Sequence, residues 1–178
     1  MRRPRTPQHN TEPRPRDLRR RCERLLDDNG IVVPSPFDRH SLAAVVSRHR
    51  GRPVEVRDLP VPVRADQHSG VWVHTTTQDL IFVDPTRSPW EQDHITAHEV
   101  GHMLWNHEAS DVDLGEILLP DLDMSVVRAM LGRHDFSTEQ EREAEMMATV
   151  IIDRAARTPG AVPSAIDRVT SALSLDDV

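Results

Sequence analysis

Apolar residues in this chain recur first at helical and then at strand spacing. Leu18, Cys22, Leu25 and Leu26 share one helical face, and Asn29-Gly30 marks the end of that helix. Leu42, Val45, Val46 and His49 predict a second helix over 38–50, with Gly51 just beyond it. Alternation follows. Val54 and Val56 flank Glu55, Val71, Val73 and Thr75 alternate with Trp72, His74 and Thr76, and Leu80 to Val83 form a short apolar run. These segments predict three strands, the last two paired through a turn near Gln78-Asp79.

The next helix carries the clearest start signal. Ser88 can accept a hydrogen bond from the Glu91 amide, Pro89 gives up only an amide that has no partner there, and Glu91 can reach back to the cap. This helix is expected to run to about Asn106. A shorter helix is expected over 123–131, ending at Gly132. Another starts near Thr138 with Ala144, Met147, Ala148, Ile151, Ile152 and Ala155 as its buried stripe, and Thr158-Pro159-Gly160 breaks it. Ile166, Val169 and Leu173 suggest a last amphipathic helix. Together the elements predict an α+β domain, one small antiparallel sheet with several helices.

Length and charge refine this organisation. The chain has 178 residues, room for one domain. Residues 1–24 hold nine Arg against Glu12, Asp17 and Glu23, a local charge of +6 in a chain whose total is −7. Pro4, Pro7, Pro13 and Pro15 interrupt this stretch and little of it is apolar. It therefore reads as a disordered arm over 1–16, ahead of a domain over 17–157 and a C-terminal helix and tail over 158–178. A basic arm on an acidic body also suits nucleic-acid contact, though the solvated leader is the stronger reading. No apolar run approaches the roughly 20 residues of a membrane-spanning helix, so no membrane partner is expected. No apolar stretch of secretory type follows the first arginines, and Cys22 is alone, which together point to a cytoplasmic protein.

Candidate chemistry concentrates in His98-Glu99-Val100-Gly101-His102. Histidines four apart project from one face of a helix and can meet one tetrahedral zinc ion. Glu99 points beside the pair, where it can act as a general base on water at the metal. Gly101 adds no bulk and lets another element pack close. The metzincin pattern needs Gly at 105 and His at 108, but Trp105 and Glu108 stand there, and His107 is one place out. A third ligand must then come from elsewhere, and the gluzincin arrangement takes a Glu from a later helix, where Glu141, Glu143 and Glu145 lie. Glu141 and Glu145 lie one turn apart on the side of Ala144, Ala148 and Ile152, whereas Glu143 points more outward, so Glu141 and Glu145 are the candidates. Aromatic residues make up 3% of the chain and Tyr is absent, so a further transition-state donor would be a His or Arg, with His134 and His74 as options. His94, one turn before His98, is expected at the rim.

The segment from Ile95 through His98-Glu99 and His102 to His107 resembles the active-site helix of the ImmA/IrrE family of bacterial metallopeptidases. That family has a second motif, Glu-x-x-Ala-Asn/Asp-x-Phe-Ala, and this chain has Glu141-Arg-Glu-Ala144-Glu145-Met-Met147-Ala148. The resemblance covers roughly residues 18–156 and implies Glu141 as third zinc ligand. It puts Glu145 in the place of an outer partner of the metal ligands. It implies a gluzincin-type zinc endopeptidase whose substrate is a specific intracellular protein, such as a transcriptional repressor. Two other readings stand beside it: a zinc-bound regulatory module that does not cleave, and a nucleic-acid-binding regulator that uses the Arg arm.

Overall fold

The structure, a computed structural model, describes residues 14–59, 69–107, 110–111 and 136–157. The expected helices over 123–131 and near 166–173, the loop carrying His134 and most of the Arg arm lie outside these residues. Helix α1 (Pro15–Asp28) buries Leu18, Cys22 and Leu26, and it starts within the stretch read as arm, with Pro15 in its first turn. Its end follows the Asn29-Gly30 signal, Gly30 having φ +62°. Helix α2 (Arg39–Arg50) starts at Asp38, whose carboxylate accepts from the Ser41 amide, and stops at Gly51 in the left-handed conformation. Ala43 joins Leu42 and Val46 in its buried face, while His49 is exposed.

The sheet contains β1 (Val54–Asp58), β2 (Gly70–His74), β3 (Asp79–Val83) and the two-residue β4 (Ser110–Asp111), in the order β1-β3-β2-β4. β2 and β3 form the expected antiparallel hairpin, with Trp72 opposite Ile81. The sheet as a whole is mixed and not antiparallel, because β1 pairs parallel with β3, and β4 parallel with β2. Alternation specifies a strand but not its neighbour. Here β1 lies beside the second strand of the hairpin, and the hairpin itself fixes that strand's direction. The order also makes β3 an interior strand, which leaves it no edge to offer.

Helix α3 (Pro89–Leu104) packs on β2 and β3 and on helix α4 (Thr138–Arg157), which in turn carries α1. The core draws on all of these layers, with Leu26, Leu42, Val46, Ile81, Val100, Met103, Met147 and Ile151 almost fully excluded from solvent. One buried charge closes the far end of the sheet. Asp79 has no exposed surface, and its carboxylate accepts from Arg50 Nε at 3.0 Å and Trp72 Nε1 at 3.3 Å, with His74 Nδ1 at 2.8 Å. Arg50 also donates to the Met103 carbonyl, so this cluster ties α2, the hairpin and α3 together. The architecture is an α+β fold, and no described helix is long and apolar enough to cross a membrane.

Candidate metal centre

The site is built where α3 and α4 touch. The capping box expected at Ser88 forms in full: Ser88 Oγ accepts from the Glu91 amide, and the Glu91 carboxylate accepts from the Ser88 amide at 2.9 Å. One helical turn separates His98 from His102, and Gly101 lies between them on the side facing α4. A Cβ on residue 101 would come within 2.9 Å of Ala144 Cα and of the Ala144 carbonyl oxygen. The missing side chain therefore sets how near the helices come. Glu141 precedes Ala144 by three residues and so shares its face.

This approach brings three ligand atoms together. His98 Nε2 and His102 Nε2 are 3.0 Å apart, and Glu141 carboxylate oxygens lie 3.4 and 3.7 Å from them. Two donors that each sit about 2.0–2.1 Å from one tetrahedral ion are separated by about 3.3–3.4 Å. The His98–His102 spacing is a little shorter than that, and the two Glu141 spacings, each to a different carboxylate oxygen, lie at or above it; with one ligand atom per residue the three come within 4.8 Å of one another. Two imidazoles with a carboxylate are also a donor set that suits zinc and leaves a position for water. Burial holds the His98 imidazole below its ordinary value, even against the carboxylates of Glu141 and Glu145 that push the other way. A neutral ring is the form that can ligate.

Glu99 lies under the start of β2. The Trp72 amide donates to its Oε2 at 3.0 Å. A Cβ on residue 70 would overlap Ile95 Cγ2 and come within 3.2 Å of Glu99 Oε1, so Gly70 is required for α3 to sit this close to the strand. Burial pushes the Glu99 carboxyl up to about 8, the Trp72 amide opposing and the Glu141 charge reinforcing the shift. The carboxyl is thus poised where proton exchange at neutral pH is easy, and a cation beside it favours its ionised form.

Glu145 is exposed, with its Oε2 3.4 Å from His98 Nδ1 and its carboxylate 3.2 Å from His94 Nε2. His94, one turn before His98, stacks on the exposed Trp90. Glu143, read as pointing outward, is instead the least exposed of the three, with 13% of its side chain accessible against 36% for Glu141 and 58% for Glu145. It turns toward His107 and Arg21, because α1 packs along that side of α4 and covers it. His74 is engaged at both ring nitrogens, by Asp79 and by Arg52. Cys22 is buried, which raises its thiol to about 11 and leaves it unreactive.

Beside the ligands opens a cleft of about 470 Å³ whose lining includes Pro15, Leu18, His98, Glu141, Glu145 and Met146. Sequence reasoning did not find Gly70, the Trp72 amide or the His107–Glu143 contact. All three depend on which strand and which helix end meet the metal helix. Comparisons of the chain with protein-family models, with curated proteins and with solved structures return no match.

Proposed function

We propose that this chain is a zinc-dependent endopeptidase of the ImmA/IrrE type, acting in the cytoplasm on a specific regulatory protein such as a transcriptional repressor. The reading rests on one observation, the convergence of His98, His102 and Glu141, whose ligand atoms lie within 4.8 Å of one another, with Glu99 buried alongside. A bound zinc ion supplies a Lewis acid for the peptide carbonyl and acidifies its water toward neutrality. The protein's own residues supply the rest. His98 and His102 present Nε2, and Glu141 adds the negative charge that favours a divalent cation. Glu99 takes a proton from the attacking water and returns it to the leaving amine. The Trp72 amide holds Oε2 in place and assigns that proton transfer to Oε1.

Among the described residues neither strand of the hairpin has an edge free to pair with a substrate: β3 is interior, β4 pairs with β2 at Val73 and His74, and Gly70 to Trp72 are buried with the Trp72 amide held by Glu99, so the substrate is received in the cleft. The apolar part of the cleft, with Leu18 and Met146, suits an apolar side chain near the cut bond.

The test is Glu99→Gln. It is expected to keep about one zinc per chain while cleavage falls by at least 10²–10⁴-fold, the cost of losing a general base. Products would be read by mass spectrometry of proteins from cells carrying either form. A variant that cleaves as well as the parent ends the peptidase reading, and one that complements a deletion strain without cleaving moves the function to binding.

A further inference from the structure

The metal helix ends in a turn that carries a histidine back onto one of its own ligands. Helix α3 stops at Leu104 with Trp105 at its cap, and Asn106 takes φ +53°, in the left-handed region that Asn tolerates better than most residues. The Asn106 amide donates to the Met103 carbonyl at 3.2 Å, and the His107 amide to the His102 carbonyl at 3.0 Å. These are the two bonds of a Schellman motif. Their consequence is that the His107 ring is set against the His102 ring, with Nδ1 facing Nδ1 at 2.9 Å. His107 Nε2 is 3.2 Å from Glu143 Oε2, and Glu143 Oε1 is 3.4 Å from Arg21 Nη2. Both histidines are buried, and Phe136 stacks on His102 at 3.8 Å between ring centres.

We propose that His107 and Glu143 form a hydrogen-bonded relay that orients His102 and fixes the nitrogen it offers to the metal. The proposal rests on the metal-centre reading and follows from counting protons. A neutral imidazole that ligates through Nε2 carries its hydrogen on Nδ1. The His102 Nδ1–H must then donate to His107 Nδ1, which accepts and is therefore unprotonated. The His107 hydrogen is left on Nε2, where it donates to Glu143 Oε2. Arg21 pairs with the other Glu143 oxygen and anchors the far end. Every hydrogen in the chain of contacts has one place, and each link points electron density toward His102.

Ligating histidines usually give their second N–H directly to a carboxylate, a carbonyl or water. His98 follows that pattern with Glu145. His102 reaches its carboxylate through a second imidazole because Glu143 is set back, on the flank of α4 that α1 covers. Both roles make His107 and Glu143 positioning residues.

The test compares zinc affinity of the full chain and its variants by competition with a chromophoric chelator, alongside the absorption bands of the cobalt-loaded forms. His107→Leu keeps the bulk but loses the acceptor, and is expected to weaken zinc binding by about 10–100-fold and to shift the cobalt spectrum. His107→Asn places a carbonyl oxygen near the former Nδ1 and should recover most of the affinity. Glu143→Ala should weaken binding by about tenfold, and it decides the matter if His107→Leu does not fold. Nitrogen NMR of the zinc-loaded parent should find His102 protonated at Nδ1 and His107 at Nε2. Parent-like zinc affinity and cobalt bands in a folded His107→Leu, or in Glu143→Ala, overturn the relay and leave the metal centre standing. A parent chain that takes up no zinc overturns both.

Discussion

Replacing Glu99 by Gln should make the metal-free chain more stable at neutral pH, although the same change is expected to end the proposed cleavage. Glu99 has only 6% of its surface exposed, and burial raises its carboxyl from 4.5 to about 8. An acid with a raised folded value gives its full stability below the unfolded value, and loses it as pH climbs through the folded one. At pH 7 the unfolded chain has this carboxylate ionised, whereas the folded chain keeps it largely protonated. Taking up that proton costs about 1.4 kcal/mol for each pH unit between 4.5 and 7, or about 3 kcal/mol in all. Gln carries no such cost and can still accept from the Trp72 amide. For a chain of this size that corresponds to a rise of roughly 6–12 °C in melting temperature.

Calorimetry of chelator-treated parent and variant over about pH 4–8 is the assay. The melting temperatures should nearly coincide near pH 4, where both states of the parent are protonated, and separate progressively toward pH 8. Zinc should narrow the gap, because a divalent cation favours the ionised carboxylate and removes part of the parent's disadvantage. A gap independent of pH, or a variant less stable than the parent at neutral pH, would falsify the assignment of Glu99 as a buried, protonated acid in the metal-free chain.

Two further outcomes follow from the helix contact. Glu141→Ala removes the proposed third ligand and should reduce zinc affinity far more than Glu145→Ala, whose effect through His98 Nδ1 should be about 10–100-fold; isothermal titration of each variant checks the order. Gly101→Ala adds a Cβ within 2.9 Å of Ala144 backbone atoms, so the helices must part; denaturant unfolding should show a loss of about 1–3 kcal/mol, together with weaker zinc binding as Glu141 moves away from the two histidines.

Much of this protein is local enough to read from the chain. The capping box at Ser88 depends on residues three apart, and it formed as read. The face shared by His98 and His102 depends only on helical pitch. The β2–β3 hairpin follows from two apolar runs with a short turn between them, where Thr75 Oγ1 accepts from the Gln78 amide. Even the close approach at Gly101 has its signature in a missing side chain beside two metal-ligand candidates.

What the sequence left open was decided by long-range packing. Glu141, Glu143 and Glu145 occupy successive alternate positions of one helix, and periodicity relative to Ala144 cannot tell which surface α1 will cover. Only after α1 is laid along α4 does Glu143 become the sheltered carboxylate and Glu145 the exposed one. Likewise, alternation made β1 a strand without saying that it joins parallel to β3, since the choice depends on neighbours far away in sequence. His107 shows both halves of the lesson. Asn106 is a local signal for a left-handed helix end, but that the turn would return an imidazole to His102 and aim it at Glu143 required α3 and α4 in place. Backbone hydrogen bonds and helical pitch act over a few residues and are written in the chain. The identity of the second partner at a buried polar group is set by whichever element arrives there, and only the folded structure contains it.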